Sequence, residues 1–332
     1  MLLDGRRPDD IARAADLLVR GELVAFPTET VYGLGANAAD DAAVARIFAA
    51  KGRPADHPLI VHVAPGAAAD AAVAVFADHV PDAAHRLMQA FWPGPLTLIL
   101  PRRAGVGTAS AGGQDSIGLR CPSHPVAQAL LAECARLGVH GLSGPSANRF
   151  GRVSPTTAAH VQAEFGESVA VLDGGPCDVG IESAIVDCTR AAPVLLRPGV
   201  LTRARIEAAL GHPLVDDESA GGEAPRASGT LESHYAPSAR VRLMDARSLQ
   251  AALDVLGEDA AHIAVWSRAL LRSRSGKIIR RRMPDDAQAV AQQLFAVLRE
   301  FDDQSVKLIW IETLPDMPEW EGVADRLRRA AA

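Results

Sequence analysis

The sequence predicts an α/β protein with two domains joined by a polar linker. Segments with strand and helix patterns alternate along most of the 332 residues, as expected for sheets covered by helices. Between His212 and Ser238 the composition changes to mainly Asp, Glu, Gly, Ser and Pro, which is typical of a linker. We therefore predict a first domain over residues 1–211, a linker over 212–238 and a smaller α/β domain over 239–332.

The predicted elements of the first domain follow from hydrophobic periodicity and helix end signals. Asp40 or Asp41 caps a helix that carries Lys51 at its C-terminal end. Ser154 is followed by a proline, a pair typical of N-cap and N1, so a helix is predicted to start there. The predicted helices are 10–20, 42–51, 124–137, 154–165 and 202–210, the strands are 23–26, 59–63, 96–100, 116–120, 169–172 and 185–187, and the connections include 28–35 and 141–148.

The second domain shows fewer elements but the same alternation. Three short apolar runs, 241–243, 263–266 and 307–311, are predicted strands, and 286–301 is a predicted helix. This pattern predicts a small α/β domain.

The overall composition argues against a nucleic-acid or membrane protein. The net charge of −6 lacks the basic excess of a nucleic-acid binder, although a local basic cleft stays possible. No stretch approaches the 18 apolar residues of a membrane helix, and the first ten residues lack the apolar run of a signal peptide. The four cysteines lie far apart without a CxxC spacing, which favours reduced thiols over disulfides or zinc ligands. We expect a cytoplasmic protein with no membrane partner.

Lysine is rare in this chain, which makes one position conspicuous. Of 34 Lys and Arg residues only three are lysines, and Lys51 lies two residues before Arg53 in a turn flanked by glycine and proline. A compact ammonium beside a planar guanidinium suits an anion with several oxygens. An ordinary solvated turn explains these four residues equally well, and a lysine on such a turn is expected to contribute little to folding.

The usual nucleotide-binding motifs are missing or in the wrong context. No GxxxxGK[ST] pattern exists. Residues 33–38 fit GxGxxA, but a proline separates them from the preceding strand and the next helix begins only near Asp40, which argues against a dinucleotide site. Taken singly, His62 in its apolar strand and the hydroxyls of Thr28, Thr30 and Tyr32 are compatible with structural roles.

Taken together, the motifs of the first 211 residues resemble the YrdC/Sua5 family, the threonylcarbamoyl-AMP synthases. The matching segments, in the family's order, are FPTETVYGLG (26–35), KGRP with HPLIVHV (51–63), WPGPLTLIL (92–100), GLRCP (118–122), SGPSAN (143–148), SPTTAAHV (154–161), GIES (180–183) and RPG (197–199). His234-Tyr235-Ala236-Pro237 resembles the linker signature of the two-domain Sua5 type. The last domain resembles the Sua5 C-terminal domain in length, position and α/β pattern only.

The resemblance implies a fold and a reaction. The fold is a YrdC-like twisted mixed sheet with helices and a concave cleft, followed by an open, Rossmann-like α/β domain. The reaction converts L-threonine, bicarbonate or CO2, and ATP, with Mg2+ carried on the phosphates, to threonylcarbamoyl-AMP and pyrophosphate. The product serves the machinery that modifies the adenosine next to the anticodon of tRNA, while direct tRNA binding stays open. Because the substrates supply the nucleophiles, the protein has to align them and neutralise phosphate charge.

The resemblance also implies residue roles. Lys51 and Arg53 are the catalytic clamp for phosphate and bicarbonate. The implied threonine pocket comprises Thr30, Tyr32, His62, Arg120, Ser143 and Ser183, with Arg120 pairing with the carboxylate. The implied ATP contacts are Lys51, Arg53, His57, Ser116, Ser146, Asn148, Ser154, Arg197, His234 and Tyr235. The last two lie on the linker, which would close over the site as a lid and exclude water; the alternative is that they attach the linker to either domain.

Four positions depart from the commoner family pattern, and two other functions stay open. His57 replaces Asn, Phe150 replaces Ser, Ala184 replaces Thr, and Ser228 replaces the Pro that opens the lid segment. These changes affect the expected substrate affinity and lid closure rather than the reaction class. One alternative is an RNA-binding module whose Lys51 and Arg53 cleft holds RNA without chemistry. The other is carbamoyl transfer to a different acceptor, although this sequence does not show the acylphosphatase and zinc-finger segments of the hydrogenase-maturation members.

Overall fold

The computed structural model forms two compact units. It describes residues 1–216, 219, 221, 223–230 and 234–332. The first unit comprises Met1–Phe150 and Ser154–Thr230, and the second comprises Gly151–Val153 and the described part of 231–332. The predicted domain and linker boundaries, which rest on composition, stay predictions.

The first unit is built on one mixed sheet of ten strands. The strands are β1 (Leu2–Asp4), β2 (Val24–Phe26), β3 (Gly33–Asn37), β4 (Ile60–His62), β5 (Leu96–Pro101), β6 (Ser116–Arg120), β7 (Leu142–Ser143), β8 (Ala170–Asp173), β9 (Ala184–Asp187) and β10 (Val194–Arg197). Their order across the sheet is β1-β8-β2-β3-β7-β4-β6-β5-β9-β10. Parallel pairs such as β4 with β6 and β5 with β9 alternate with antiparallel pairs such as β5 with β6, so the predicted mixed α/β sheet is confirmed.

Helices bury apolar faces against this sheet in three clusters. The helices are α1 (Pro8–Val19), α2 (Asp41–Lys51), α3 (Ala67–Phe76), α4 (Asp82–Phe91), α5 (Pro125–Arg136), α6 (Ala158–Phe165) and α7 (Arg203–Leu210). Asp40 caps α2 as predicted, because its carboxylate accepts hydrogen bonds from the amides of Ala42 and Ala43. The helix starts directly after this cap and ends on Lys51.

The prediction of a helix starting at Ser154 was wrong. The helix α6 begins at Ala158, and Thr157 is its N-cap, accepting a hydrogen bond from the His160 amide. The Ser154 hydroxyl instead donates to the Glu182 carboxylate at 2.5 Å. Thr157, three residues after Ser154, is a second residue of the N-cap type, and it is the one whose hydroxyl meets one of the first free amides of α6.

The connection predicted over residues 28–35 contains part of a strand. β3 pairs antiparallel with β2, and two glycines in its sequence GLGAN reduced its strand-like character. A Cβ at Gly35 would lie 2.9 Å from the Val24 carbonyl oxygen and 3.0 Å from the Phe26 ring. Glycine therefore allows the close approach of these strands. Its low strand propensity is also the reason that β3 was not predicted. The strands β1, β7 and β10 and the helices α3 and α4 were also missing from the prediction, as were the strand 279–282 and the helices 246–254 and 321–331 of the second unit.

The second unit is an open parallel α/β sheet, which confirms the predicted class. Its strands are β11 (Arg240–Met244), β12 (Ile263–Ser267), β13 (Ile279–Arg282) and β14 (Leu308–Glu312), and its helices are α8 (Ala246–Asp254), α9 (Ala287–Asp303) and α10 (Glu321–Ala331). The strand order is β11-β14-β12-β13, so β11 and β13 are the edges. Among the residues described in both units, no helix is long and apolar enough to cross a membrane.

Candidate active site

One face of the middle strands forms the floor of a narrow cleft. Side chains alternate along a strand, so Ser116, Gly118 and Arg120 of β6 point to the same face. Ile60 lies opposite Gly118, and Thr97 of β5 lies beside them. The absence of a side chain at Gly118 leaves the cleft open at its centre, where the volume that the centre of a water molecule can reach is about 20 Å³.

Residues 226–228, which we name the covering segment, also line this cleft. The Arg226 amide donates to the Gln114 side-chain oxygen (2.7 Å), and Ser228 accepts a hydrogen bond from Arg197 Nη1 through its carbonyl (2.7 Å). The Ser228 hydroxyl also lies 3.5 Å from Arg53 Nη2. Two of the predicted ATP-binding arginines therefore meet at Ser228, a position that departs from the family pattern.

Lys51 is the last residue of α2, and only 3% of its surface is exposed. Its ammonium donates hydrogen bonds to the backbone carbonyls of Ser146 (2.6 Å) and Asn148 (2.5 Å). Burial, and then the charge of Arg53, hold the pKa of Lys51 well below its usual range. The expectation that Lys51 contributes little to folding is wrong, because a buried ammonium that satisfies two carbonyls ties α2 to the loop 143–148.

Arg53 contacts Phe150 and Ser228, two of the four positions that depart from the commoner family pattern. Its guanidinium lies 5.6 Å from the centre of the Phe150 ring, and its Nη2 donates to the Pro58 carbonyl (3.0 Å). The His57 ring meets the same Phe150 edge-on, with ring centres 5.5 Å apart. Burial, and then Arg53, lower the pKa of His57 below its ordinary value. The structure thus brings the His57 and Phe150 departures together as one aromatic support beside the predicted phosphate clamp.

His62 and Arg120 are adjacent on the floor, because β4 and β6 pair them in register. The Arg120 Nη2 lies 2.8 Å from a carboxylate oxygen of Glu29, and both side chains are more than nine-tenths buried. Glu29 also accepts a hydrogen bond from the Ser123 amide (3.1 Å). Sequence reasoning missed Glu29; the signal available was a single carboxylate between two threonines in the Pro-Thr-Glu-Thr segment that otherwise held only small and polar groups.

His62 is enclosed by apolar and glycine neighbours. Its ring meets Phe26 edge-on at 5.6 Å, and a Cβ at Gly144 would lie 2.8 Å from its Nδ1. No hydrogen-bond partner for Nδ1 is found in the described chain. Burial, and then the Arg120 charge, lower the pKa of His62 to about 3, so the ring is neutral at physiological pH.

The neutral buried state of His62 predicts a pH dependence of folding. Between about pH 3 and pH 6.5 the unfolded chain protonates this ring and the folded chain does not, so acid favours unfolding. We expect the group to lower the free energy of unfolding by up to about 1.4 kcal/mol for each pH unit below 6.5. Urea unfolding followed across this range should show a shallower acid loss for His62→Gln; parallel curves for the variant and the natural protein would contradict the assignment.

The other hydroxyls predicted for the threonine pocket are buried and already hydrogen-bonded. Their contacts are Thr30 with Thr28 (2.9 Å), Tyr32 with the Gly175 carbonyl (2.7 Å), Ser143 with Ser110 (2.6 Å) and Ser183 with Thr97 (2.8 Å). Ser143 lies opposite Val61 in the sheet, next to His62. Tyr32 points to the loop after β8, and burial raises the pKa of its phenol above its usual range. Tyr32 thus fixes the strand β3 and that loop rather than presenting a free hydroxyl.

The residues predicted for ATP occupy three places. Ser146 and Asn148 hold the Lys51 ammonium through their carbonyls, while Ser116 lines the cleft. Arg197 donates to both the carbonyl and the hydroxyl of Ser183 (3.0 and 3.3 Å), which joins it to the predicted threonine pocket. Glu182, the partner of Ser154, and Gln114, the partner of the covering segment, are further residues that sequence reasoning missed.

His234 and Tyr235 lie in the second unit. The Tyr235 ring is buried, with its centre 5.5 Å from that of Phe295 on α9 and the Arg326 guanidinium 5.5 Å from its own centre. The His234 amide donates to the Arg329 carbonyl (3.2 Å). The His234 ring meets the Tyr235 ring edge-on, with ring centres 4.1 Å apart. The ATP contacts predicted for these two residues stay a prediction.

The cysteines and acidic residues offer little metal chemistry. All four cysteines are free and buried. Their reduced state stays a prediction. Within the described ranges, no group of three or more His, Cys, Asp or Glu side chains could hold a metal ion. An Mg2+ ion on bound ATP would depend on phosphate and water oxygens for its ligands.

Comparison with known proteins places this site in a family. Residues 16–199 match the Sua5/YciO/YrdC family model, described as "Telomere recombination", and residues 201–332 match the model described as "Threonylcarbamoyl-AMP synthase, C-terminal domain". The threonylcarbamoyl-AMP synthases of Pyrococcus abyssi and Bacillus subtilis are each 38% identical, over 96% and 97% of this chain and 93% and 92% of their own lengths. The crystal structure of P. abyssi Sua5 complexed with L-threonine superposes with a TM-score of 0.88 at 35% identity, covering all of this chain and 97% of that one.

Proposed function

The chain belongs to the Sua5/YciO/YrdC family, and from this premise we propose that it converts L-threonine, bicarbonate or CO2, and ATP to threonylcarbamoyl-AMP and pyrophosphate. The observation that carries the proposal is similarity along nearly the whole length to enzymes named threonylcarbamoyl-AMP synthase. The cleft of the first unit supports it, because the buried Arg53 and Arg197 contact Ser228 at its edge and the reaction requires no protein nucleophile. This synthesis is the first step of N6-threonylcarbamoyladenosine formation, and its product is the donor that modifies the adenosine in tRNA.

The chemistry consists of two bond-forming steps on the substrates. The threonine amine attacks the carbon of CO2 or bicarbonate to give a carbamate, and in the bicarbonate case water leaves. A carbamate oxygen then attacks the α-phosphorus of ATP, and pyrophosphate departs with the bond electrons. The protein's contribution is to align these groups and to stabilise the charge that develops on phosphate.

In this proposal Arg53 and Arg197 would receive the phosphates. Both contact Ser228, so a phosphate oxygen could take the position of the Ser228 carbonyl or hydroxyl. Each charged hydrogen bond of this kind contributes about 1.5–3 kcal/mol. Lys51, held beside the loop 143–148, would supply a third positive charge once a phosphate approaches its ammonium. Binding in this mode requires the covering segment to withdraw from the cleft.

In the same proposal Arg120 and His62 would receive threonine. The guanidinium fork has five donors, so Arg120 can keep Glu29 and still bind the threonine carboxylate. The neutral His62 ring can exchange a hydrogen bond with a substrate hydroxyl or amine without adding charge. Thr30, Ser143 and Ser183 would complete the pocket, with Tyr32 as a support.

The remaining assignments of the proposal concern partners and place of action. Mg2+ would bind the triphosphate of ATP and water; no step above depends on a protein ligand for it. His234 and Tyr235 would contact the nucleotide in the closed state of the linker. The enzyme would act in the cytoplasm and pass its labile product to a tRNA-modifying transferase.

Phe150 provides a prediction about ATP affinity. Phe150→Leu keeps an apolar side chain but removes the ring that lies against Arg53. A contact of this type contributes about 0.5–1 kcal/mol at an exposed site, so we expect the KM for ATP to rise about two- to five-fold with kcat little changed. Phe91→Leu is the matched control, because Phe91 supports Arg205 at a similar distance of 5.9 Å. An unchanged KM, or an equal rise in the control, would contradict the role.

The proposed function is tested by pyrophosphate release from ATP with bicarbonate. Release that requires both bicarbonate and L-threonine, and that falls when L-serine replaces L-threonine, is the expected result. No release in any of these mixtures would refute the proposal and would favour the RNA-binding alternative. Release with bicarbonate alone would indicate carbamoyl transfer to a different acceptor.

A further inference from the structure

The second unit carries a basic segment that the reaction does not use. Residues 268–282 contain seven of the chain's 34 Lys and Arg residues and no Asp or Glu, although the whole chain has a net charge of −6. They form the loop after β12 and the edge strand β13. We name the exposed members of this segment the basic strip: Arg272, Arg274, Lys277, Arg280 and Arg282.

The loop that carries three of the five members of the strip is held in place by hydrogen bonds. Gln250 of α8 accepts from the Arg272 amide (2.9 Å) and donates to the Arg272 carbonyl (3.1 Å). Ser275 is buried, and its hydroxyl donates to the Ala260 carbonyl (2.6 Å). Arg280 Nη1 donates to the carbonyl of Leu271, the residue before Arg272 (3.1 Å). These bonds fix the backbone of the loop against α8 and β13, so the strip is carried on an ordered part of the surface.

Only part of this charge is neutralised. Lys277 pairs with Asp259 (3.0 Å) and Arg282 with Asp285 (3.3 Å), both on the surface, where such pairs are weak. Arg272, Arg274 and Arg280 have no acidic partner within 4.0 Å anywhere in the described chain. The alternation of β13 turns Arg281 to the other face, where it pairs with Glu300 of α9.

Protection of the sheet edge does not account for this arrangement. Charged side chains on an edge strand discourage pairing with another chain, which explains Arg280 and Arg282. Arg272 and Arg274 lie on the loop, outside the strand, and have no part in blocking it. Three exposed arginines within nine residues, none with an acidic partner in the described chain, match a ligand with several spaced negative charges.

We propose that the basic strip binds the phosphate backbone of RNA. The segment 268–282 contains no aromatic residue on which bases could stack, so the chemistry fits phosphate contacts without base readout. The choice of RNA over another polyanion rests on the proposed function, whose product is used on tRNA. The strip would hold an RNA near the enzyme that makes the labile donor.

The test compares tRNA binding by two variants that remove equal charge from the same unit. Arg272→Gln/Arg274→Gln/Arg280→Gln alters the strip, and Arg240→Gln/Arg242→Gln/Arg247→Gln alters exposed arginines on and next to the opposite edge strand β11. We expect the strip variant to bind an unmodified tRNA transcript about ten-fold or more weakly at low salt and to reduce the slope of log K against log salt by about 2–3. The control variant should bind like the natural protein. An unrelated duplex RNA of equal length should bind comparably to tRNA.

Two further variants and one activity measurement make the test decisive. Arg272→Lys/Arg274→Lys/Arg280→Lys keeps the charge and should retain binding. If the triple change to Gln unfolds the domain, Arg272→Gln/Arg274→Gln replaces it, because that variant keeps the bond from Arg280 to Leu271. Equal losses in the strip and control variants, or a salt slope unchanged by the strip variant, would overturn the proposal. Pyrophosphate release should be unaltered in all variants, so failure of this inference is distinguishable from failure of the proposed function.

Discussion

Lys51→Ala is expected to abolish threonine-dependent pyrophosphate release and to lower the free energy of unfolding by about 2–4 kcal/mol. The loss of activity follows from removal of a positive charge from the proposed phosphate clamp. The loss of stability follows from the two backbone carbonyls that the ammonium satisfies, because a buried acceptor left without a donor costs about 1–3 kcal/mol. Urea unfolding and an assay of pyrophosphate release check the two parts separately.

Two controls separate these effects. Lys51→Met keeps the aliphatic stem and removes only the ammonium, so it should lose activity as fully as Lys51→Ala and lose less stability. Lys277→Ala removes an exposed lysine whose pair with Asp259 is on the surface, and it should change neither quantity measurably. Activity of Lys51→Met close to that of the natural protein would remove Lys51 from the reaction and leave it a folding role.

Arg120→Ala is expected to cost about 3–5 kcal/mol of stability and to eliminate turnover that depends on threonine. The change leaves the Glu29 carboxylate without its cation in a site where its side chain is only 7% exposed. A buried charge without a partner is strongly destabilising. The proposed contact with the threonine carboxylate would disappear at the same time. Chemical unfolding and the KM for threonine are the two measurements.

A double-mutant cycle distinguishes the ion pair from the substrate contact. Glu29→Gln/Arg120→Gln removes both charges and should recover much of the stability lost in Arg120→Gln alone. Turnover should stay low in the double variant, because the substrate carboxylate still lacks its cation. Recovery of both stability and turnover would show that Arg120 acts only through Glu29.

Several features of the fold could be predicted because their signals act within a few residues. The Asp40 cap and the helical pattern after it located α2 and put Lys51 at its end. Apolar runs located β4, β5 and β6, which form most of the cleft floor. The family's motifs occur in the same order in this chain, and that order can be read from the sequence alone. It therefore identified the reaction. The local signal for the start of α6 was ambiguous. Ser154 resembles an N-cap in the sequence, but in the structure its hydroxyl donates to the distant Glu182 carboxylate.

The sequence by itself therefore determined the α/β class, the family and the set of candidate residues. Only the tertiary structure decided which of those residues are buried and with what partners. From the sequence Lys51 was compatible with an exposed turn, whereas in the structure its ammonium is buried against the loop 143–148. The sequence indicated no partner for Arg120, whereas in the structure Glu29 forms an ion pair with it. The physical reason is that caps and periodicity depend on neighbours along the chain, whereas the cost of burying a charge is offset by groups that only the strand order brings together.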